Sequence, residues 1–108
     1  SNIVTQITTD SSDFVAPEVP TEFTATNITQ TSVTLSWLFS QNPDGTLAYG
    51  YKLYQGTTEI ANIITNTTYN VTGLTGGTLY KFFVLAYDAN GNESATNGPL
   101  NVTTSNIP

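Results

Sequence analysis

The sequence predicts an all-β fold, a seven-stranded antiparallel sandwich of two sheets, and three observations carry that prediction. Apolar residues recur with a period of two from Phe23 onward, the period of a strand with one buried face, and no stretch sustains the 3.6-residue period of a helix. Turn signals punctuate these runs at intervals of roughly 8–12 residues, the spacing a sandwich produces. An alternating run, Thr31-Ser-Val-Thr-Leu-Ser-Trp37, ends on the chain's single tryptophan, and Tyr80 follows far downstream. A parallel sheet would need crossover helices, and no segment is a candidate for one.

Residues 1–19 are a polar lead containing Ile3, Val4, Ile7, Phe14 and Val15 and closing on Ala16-Pro-Glu-Val-Pro20. Pro17 and Pro20 fix φ and remove backbone donors, so an extended linker feeding the first strand is expected. Phe23 and Ala25 mark that strand, and Val33, Leu35 and Trp37 mark the second. Asn42-Pro-Asp-Gly45 is a turn, with proline presetting φ and glycine accepting positive φ. The third strand runs from Tyr49 to Tyr54, with Tyr49, Tyr51 and Leu53 expected to face inward. Gln55-Gly-Thr-Thr58 turns into a weaker strand through Ile60 and Ile63 or Ile64. Thr68–Val71 is short, and Leu74-Thr-Gly-Gly77 breaks it. Thr78–Asp88 is the longest strand, its parity sending Tyr80, Phe82, Val84 and Ala86 inward and Leu79, Lys81, Phe83, Leu85 and Tyr87 outward. Asn90-Gly91 is a hairpin cue, and Leu100, Val102 and Thr104 mark the last strand.

Composition narrows the function. A length of 108 residues holds one domain with one core. Lys52 and Lys81 are the only bases against eight acids, a net charge of −6, so the clustered cations that bind nucleic acid or an anionic membrane are absent. The chain has no His, Cys or Met, which removes most nucleophilic, proton-shuttling and soft-metal chemistry, and no cofactor is expected. No apolar run approaches the roughly 18 residues of a spanning helix, so membrane insertion is not expected. A basic-then-apolar signal segment is also lacking, and the chain reads as a piece of something larger. A Thr- and Asn-rich, Lys-poor surface fits an extracellular setting, secreted or on a cell surface.

Six pieces in order carry a family resemblance: Val19-Pro20 leading to Phe23, Ser32-Val-Thr-Leu-Ser-Trp37, Gly50-Tyr-Lys-Leu-Tyr54, Leu74-Thr-Gly-Gly-Thr-Leu-Tyr80, Ala86-Tyr-Asp88 and Gly91-Asn-Glu-Ser94. Together they resemble a fibronectin type III domain, an immunoglobulin-like sandwich, and in flavour the bacterial modules that accompany secreted polysaccharide-degrading enzymes. The resemblance implies that Trp37 is the core indole of the second strand and that Tyr80 is a tyrosine corner, its hydroxyl bonded to backbone near Leu74 to Gly77. With the inward parity, the expected structural core is Trp37, Tyr51, Leu74, Tyr80, Phe82 and Val84. Arg-Gly-Asp, the integrin-binding tripeptide of some animal members, does not occur.

Asp88-Ala-Asn-Gly-Asn-Glu93 places oxygen side chains around a glycine, but it lacks the spacing of a calcium loop and reads as a turn. Paired carboxylates are the only catalytic chemistry the composition supports. Asp10 and Asp13 lie in the lead, Glu18 and Glu22 flank Pro20, and Asp44, Glu59, Asp88 and Glu93 fall on turns or strand ends, where solvated loop acids are the expectation. Asn27, Asn66, Asn70, Asn92 and Asn101 begin N-glycosylation triplets, largely a product of the Asn- and Thr-rich composition. The outward set of the longest strand is more distinctive: Phe83, Leu85 and Tyr87, joined by Tyr54 from the third strand, form a possible interaction face, because solvent faces usually alternate to polar residues. Exchange of Phe83 and Leu85 for Thr is expected to leave stability within about 1 kcal/mol.

Ile7-Thr-Thr-Asp-Ser-Ser resembles Val102-Thr-Thr-Ser-Asn at an offset of 95 residues, close to the size of one module. Residues 1–16 are therefore expected to be a linker or the end of a preceding module, 17–104 the domain, and 105–108 a linker to the next. The functional expectation is a non-catalytic spacer or accessory module of an extracellular multidomain protein, holding neighbouring domains of the same polypeptide apart. The alternative is a recognition module, an adhesin or virion surface domain, that binds glycan or a surface protein through the outer sheet face or the loops around Asp44 and Asn90.

Overall fold

A computed structural model describes residues 16–106, and the expectations for the lead and for the last two residues lie outside that range. Seven strands follow in order: β1 Thr24–Thr26, β2 Val33–Ser36, β3 Gly50–Gln55, β4 Thr58–Ile64, β5 Thr68–Val71, β6 Leu79–Tyr87 and β7 Asn97–Thr103. Every pairing is antiparallel, and the strands form a sheet of order β1-β2-β5 facing one of order β4-β3-β6-β7. The fold is the all-β sandwich of two antiparallel sheets that the alternation predicts.

Each sheet buries the side chains of one parity. Val33, Leu35 and Trp37 from one sheet meet Tyr51, Leu53, Phe82, Val84 and Ala86 from the other, with Phe23, Leu74 and Val102 closing the edges. Trp37 is 3% exposed, with the Phe23 and Tyr51 rings edge-on to it at centroid distances of 6.3 and 5.5 Å. The Tyr51 hydroxyl, fully buried, accepts from the Ser40 amide at 2.9 Å. Burial lifts its pKa above the ordinary tyrosine value, and the Ser40 amide opposes that rise only in part.

Tyr49 departs from the inward expectation and is 48% exposed. The cause is a break of phase: the core-facing residues Ala48 and Tyr51 are three apart, so alternation fails at Tyr49-Gly50 and the Tyr49 ring swings to the outer face. The first strand is cut to three residues by positive φ at both flanks, 52° at Glu22 and 49° at Asn27. The Asn90-Gly91 cue also yields something other than a tight hairpin. The Asp88 carboxylate collects the amides of Asn90 and Asn92 and the Asn92 side-chain amide, folding the segment around itself. The β6–β7 ladder then begins only at Asn97, with a register shift between Phe82 and Val84.

Tyr80 stacks on Phe82 with a centroid distance of 6.2 Å, and its hydroxyl accepts from the Thr75 amide at 2.8 Å. Tyr80→Phe keeps the ring and removes that acceptor. Water can reach exposed Thr75, so the expected loss is about 0.5–1.5 kcal/mol. Urea melts of the two proteins check it, and equal midpoints would remove the hydroxyl from the account of the loop.

Candidate interaction face

Three rungs of the β3–β6 ladder build the outer face: Gly50 opposite Tyr87, Lys52 opposite Leu85, and Tyr54 opposite Phe83. The sequence places large side chains on all three, but their surroundings differ.

At the first rung the Tyr87 ring lies across Gly50. A methyl group there would sit 2.7 Å from the Tyr87 hydroxyl and 3.0 Å from the Ile63 carbonyl oxygen, so glycine is what lets the ring lie flat. The hydroxyl donates to Asn62 Oδ1 on β4. The Tyr49 ring flanks it at 5.8 Å, and the Lys52 ammonium stands 5.4 Å from the ring centroid. Tyr87 points outward yet is nearly covered.

At the second rung Lys52 Nζ meets Glu93 Oε2 at 2.6 Å. Glu93 is bridged to Tyr87 on the side of β6 away from β3, so the ion pair arches over β6 and roofs Leu85, which is 5% exposed. The hydrogen bond from Glu93 raises the Lys52 pKa above the usual lysine value; partial burial opposes the rise, while the charges of Glu93 and Glu59 add to it. A half-exposed pair of this kind contributes little stability by itself. Its consequence is cover. Leu85→Thr therefore costs about 2–3 kcal/mol instead of less than 1, because it empties a closed site, while Phe83→Thr stays near 1 kcal/mol.

The third rung is open. Tyr54, Gly56, Thr57, Phe83, Leu85 and Thr96 line a shallow cleft of about 340 Å³, with Phe83 half-buried on its wall. The lining is apolar and aromatic with two threonine hydroxyls and no charge. Of the four side chains expected to form one face, the structure gathers Tyr54, Phe83 and Leu85 around the cleft and sets Tyr87 apart beneath Tyr49 and Lys52.

The acids are dispersed. Among the described residues no three of His, Cys, Asp and Glu cluster so as to hold a metal. Burial disfavours the Asp88 carboxylate anion, but the donors from Asn92, Asn90 and Gly91 outweigh it, and its pKa lies below the usual 3.8. A carboxyl depressed in the folded state stabilises fully above its unfolded pKa and ceases to do so as pH falls through its folded pKa. Acid should therefore loosen the 88–96 loop below about pH 4. In Asp88→Asn that acid step should vanish, as read by amide exchange at Asn90 and Asn92, whereas an unchanged pH profile would mean that Asp88 does not hold the loop.

Comparison with known proteins places these features. The sequence profile of the Fibronectin type III domain matches residues 18–103. The chain is 42% identical over 100 residues to Exoglucanase B of Cellulomonas fimi, covering 93% of the chain and 9% of that protein. It is 44% identical over 98 residues to a chitinase of Paenibacillus xylanexedens, covering 91% of the chain and 18% of that protein. The solved structure of a chitinase from Bacillus thuringiensis superposes with a TM-score of 0.74 at 27% identity, over 84% of this chain and 14% of that one. The chain thus spans less than a fifth of each of these relatives.

Proposed function

The chain belongs to the fibronectin type III family, and on that premise we propose that it serves as a spacer and accessory module in an extracellular polypeptide that degrades polysaccharide. The observation that carries this reading is coverage: the module matches only 9–18% of an exoglucanase and a chitinase, so their chemistry resides in the remainder and the module itself is non-catalytic. Its partners on this reading are the neighbouring domains of the same polypeptide. The geometry suits that task. The chain is pinned by the Glu18 amide to the Gln41 carbonyl at one end, and by the Ser105 amide to the Thr29 carbonyl at the other. The nine residues of β6 set the distance between those ends at about 30 Å, at roughly 3.3 Å per residue.

A second reading is favoured by the cleft. An uncharged hollow walled by Tyr54 and Phe83 suits the apolar face of a sugar ring, with Thr57 and Thr96 at hand for its hydroxyls. Relatives named for glucan and chitin hydrolysis make a neutral glycan the fitting ligand. One experiment separates the two readings. In the polypeptide that carries the module, excision should reduce turnover of insoluble polysaccharide and spare soluble oligosaccharide. Replacing the module with an unrelated sandwich of equal length should then restore activity if spacing is its role. Restoration only by this module, and not by its Phe83→Thr variant, would overturn the spacer reading in favour of recognition.

A further inference from the structure

Eight large apolar side chains are exposed among the described residues: Val19, Ile28, Leu38, Phe39, Leu47, Tyr49, Ile64 and Leu79. None sits midway along a strand. Leu38, Phe39, Leu47 and Tyr49 belong to the β2–β3 connection, Ile64 ends β4 opposite Gly50, and Val19 is next to Glu18, whose amide bonds to Gln41 of that connection. These six share the N-terminal pole. Ile28 and Leu79 lie at the C-terminal pole, where β1 turns toward β2 and β6 begins opposite Thr103. The flanks are polar and the ends apolar.

The fold does not require this distribution. In the ribbon formed by Ser40–Asn42 and Thr46–Ala48, the Ala48 amide bonds to the Ser40 carbonyl and both residues are buried, while Gln41 and Leu47 pair on the outward side. A polar residue at 47, 39 or 49 would leave that ribbon intact. Apolar side chains roughly half exposed at such positions mark a surface that something covers.

We propose that the N-terminal pole, centred on Phe39, Leu47 and Tyr49, is the seat of a second module of this same kind, joined in series ahead of this one and presenting its own C-terminal pole with Ile28 and Leu79. Two observations select that occupant. The chain passes through the module from pole to pole, so serial connection brings the C-terminal pole of one module against the N-terminal pole of the next, a head-to-tail contact that repeats without closing. In addition, Ile7-Thr-Thr resembles Val102-Thr-Thr of β7 at an offset of 95 residues, which makes the sequence ahead of the module like its own last strand. The inference rests on the spacer reading and sharpens it: the spacer is stiff because its ends stack.

The test joins two copies of the 108-residue chain in series and compares amide chemical shifts and 15N relaxation with those of the single chain. Shift changes are expected at Leu38, Phe39, Leu47 and Tyr49 of the second copy and at Ile28 and Leu79 of the first, with both copies tumbling as one body. Phe39→Ser with Leu47→Ser in the second copy should abolish the shifts and uncouple the tumbling, while the same changes leave the melt of the single chain in place. If the pair unfolds the single chain, Tyr49→Ser alone serves the same purpose. Independent tumbling with unaltered shifts, or shifts confined to the sheet flanks, would overturn the stacking and leave the module-replacement result to judge the spacer reading.

Discussion

Trp37→Ala is expected to cost about 3–5 kcal/mol, the range for deleting a large buried aromatic from a core that collapses only partly. Trp37 stands where the two sheets and the N-terminal strand converge, and its removal strips Phe23 and Tyr51 of the ring each meets edge-on. One feature trims the loss: the buried indole Nε1 has no hydrogen-bond partner among the described residues, so alanine also removes an unpaired donor. Against a total stability of about 5–15 kcal/mol, the variant should be marginal or unfolded. Because Trp37 is the only tryptophan, emission of the native protein reports this site directly, and a maximum typical of an indole in water would contradict the burial. Trp37→Phe tests the balance between cavity and unpaired donor, and it should lose less than half as much.

Gly98→Ala is the second large effect expected, although it adds a single methyl group. Gly98 has φ of +147°, a conformation that other residues adopt only under strain. The added carbon would lie 2.6 Å from the Phe82 carbonyl oxygen and 2.7 Å from the Phe83 ring. The ring could move, but the carbonyl belongs to β6, which is held by ladders on both sides. Strain of about 1–3 kcal/mol and overpacking of similar size together predict a loss of about 3–5 kcal/mol in a urea melt. Adding Phe83→Ala should not rescue the variant, since the clash with the Phe82 carbonyl remains. Rescue by that second change would show that the ring, and not the backbone, sets the cost.

The strands were legible because each sheet buries one parity, and a period of two survives in Val33-Thr-Leu-Ser-Trp37 and in the residues from Tyr80 to Ala86 whatever the loops do. Tyr49 was misplaced because a phase break is a tertiary event: nothing local says that Ala48 and Tyr51 will both find the core. Leu85 was taken for an exposed residue because its cover comes from Lys52 and Glu93, 41 positions apart, whose meeting depends on three adjacent elements. In the sequence Gly98 reads as one turn glycine among eight; only the approach of Phe82 and Phe83 makes it irreplaceable. The cleft beside Tyr54 was half legible. Parity supplied its aromatic walls, but the separation of Tyr87 from it required the geometry of Gly50.

Because the backbone crosses the sandwich from one pole to the other, a pull on its two ends loads β1 and β7 along their own axes. Their ladder bonds to β2 and β6 would then be sheared together instead of unzipped one at a time. β1 offers three paired residues between its two positive-φ flanks, and β7 has a longer pairing with β6. Under rising tension the short strand should slip first while the four-stranded sheet stays closed. In a single-molecule stretch the module would thus give a small yield before its main rupture, lengthening slightly under load without losing its core.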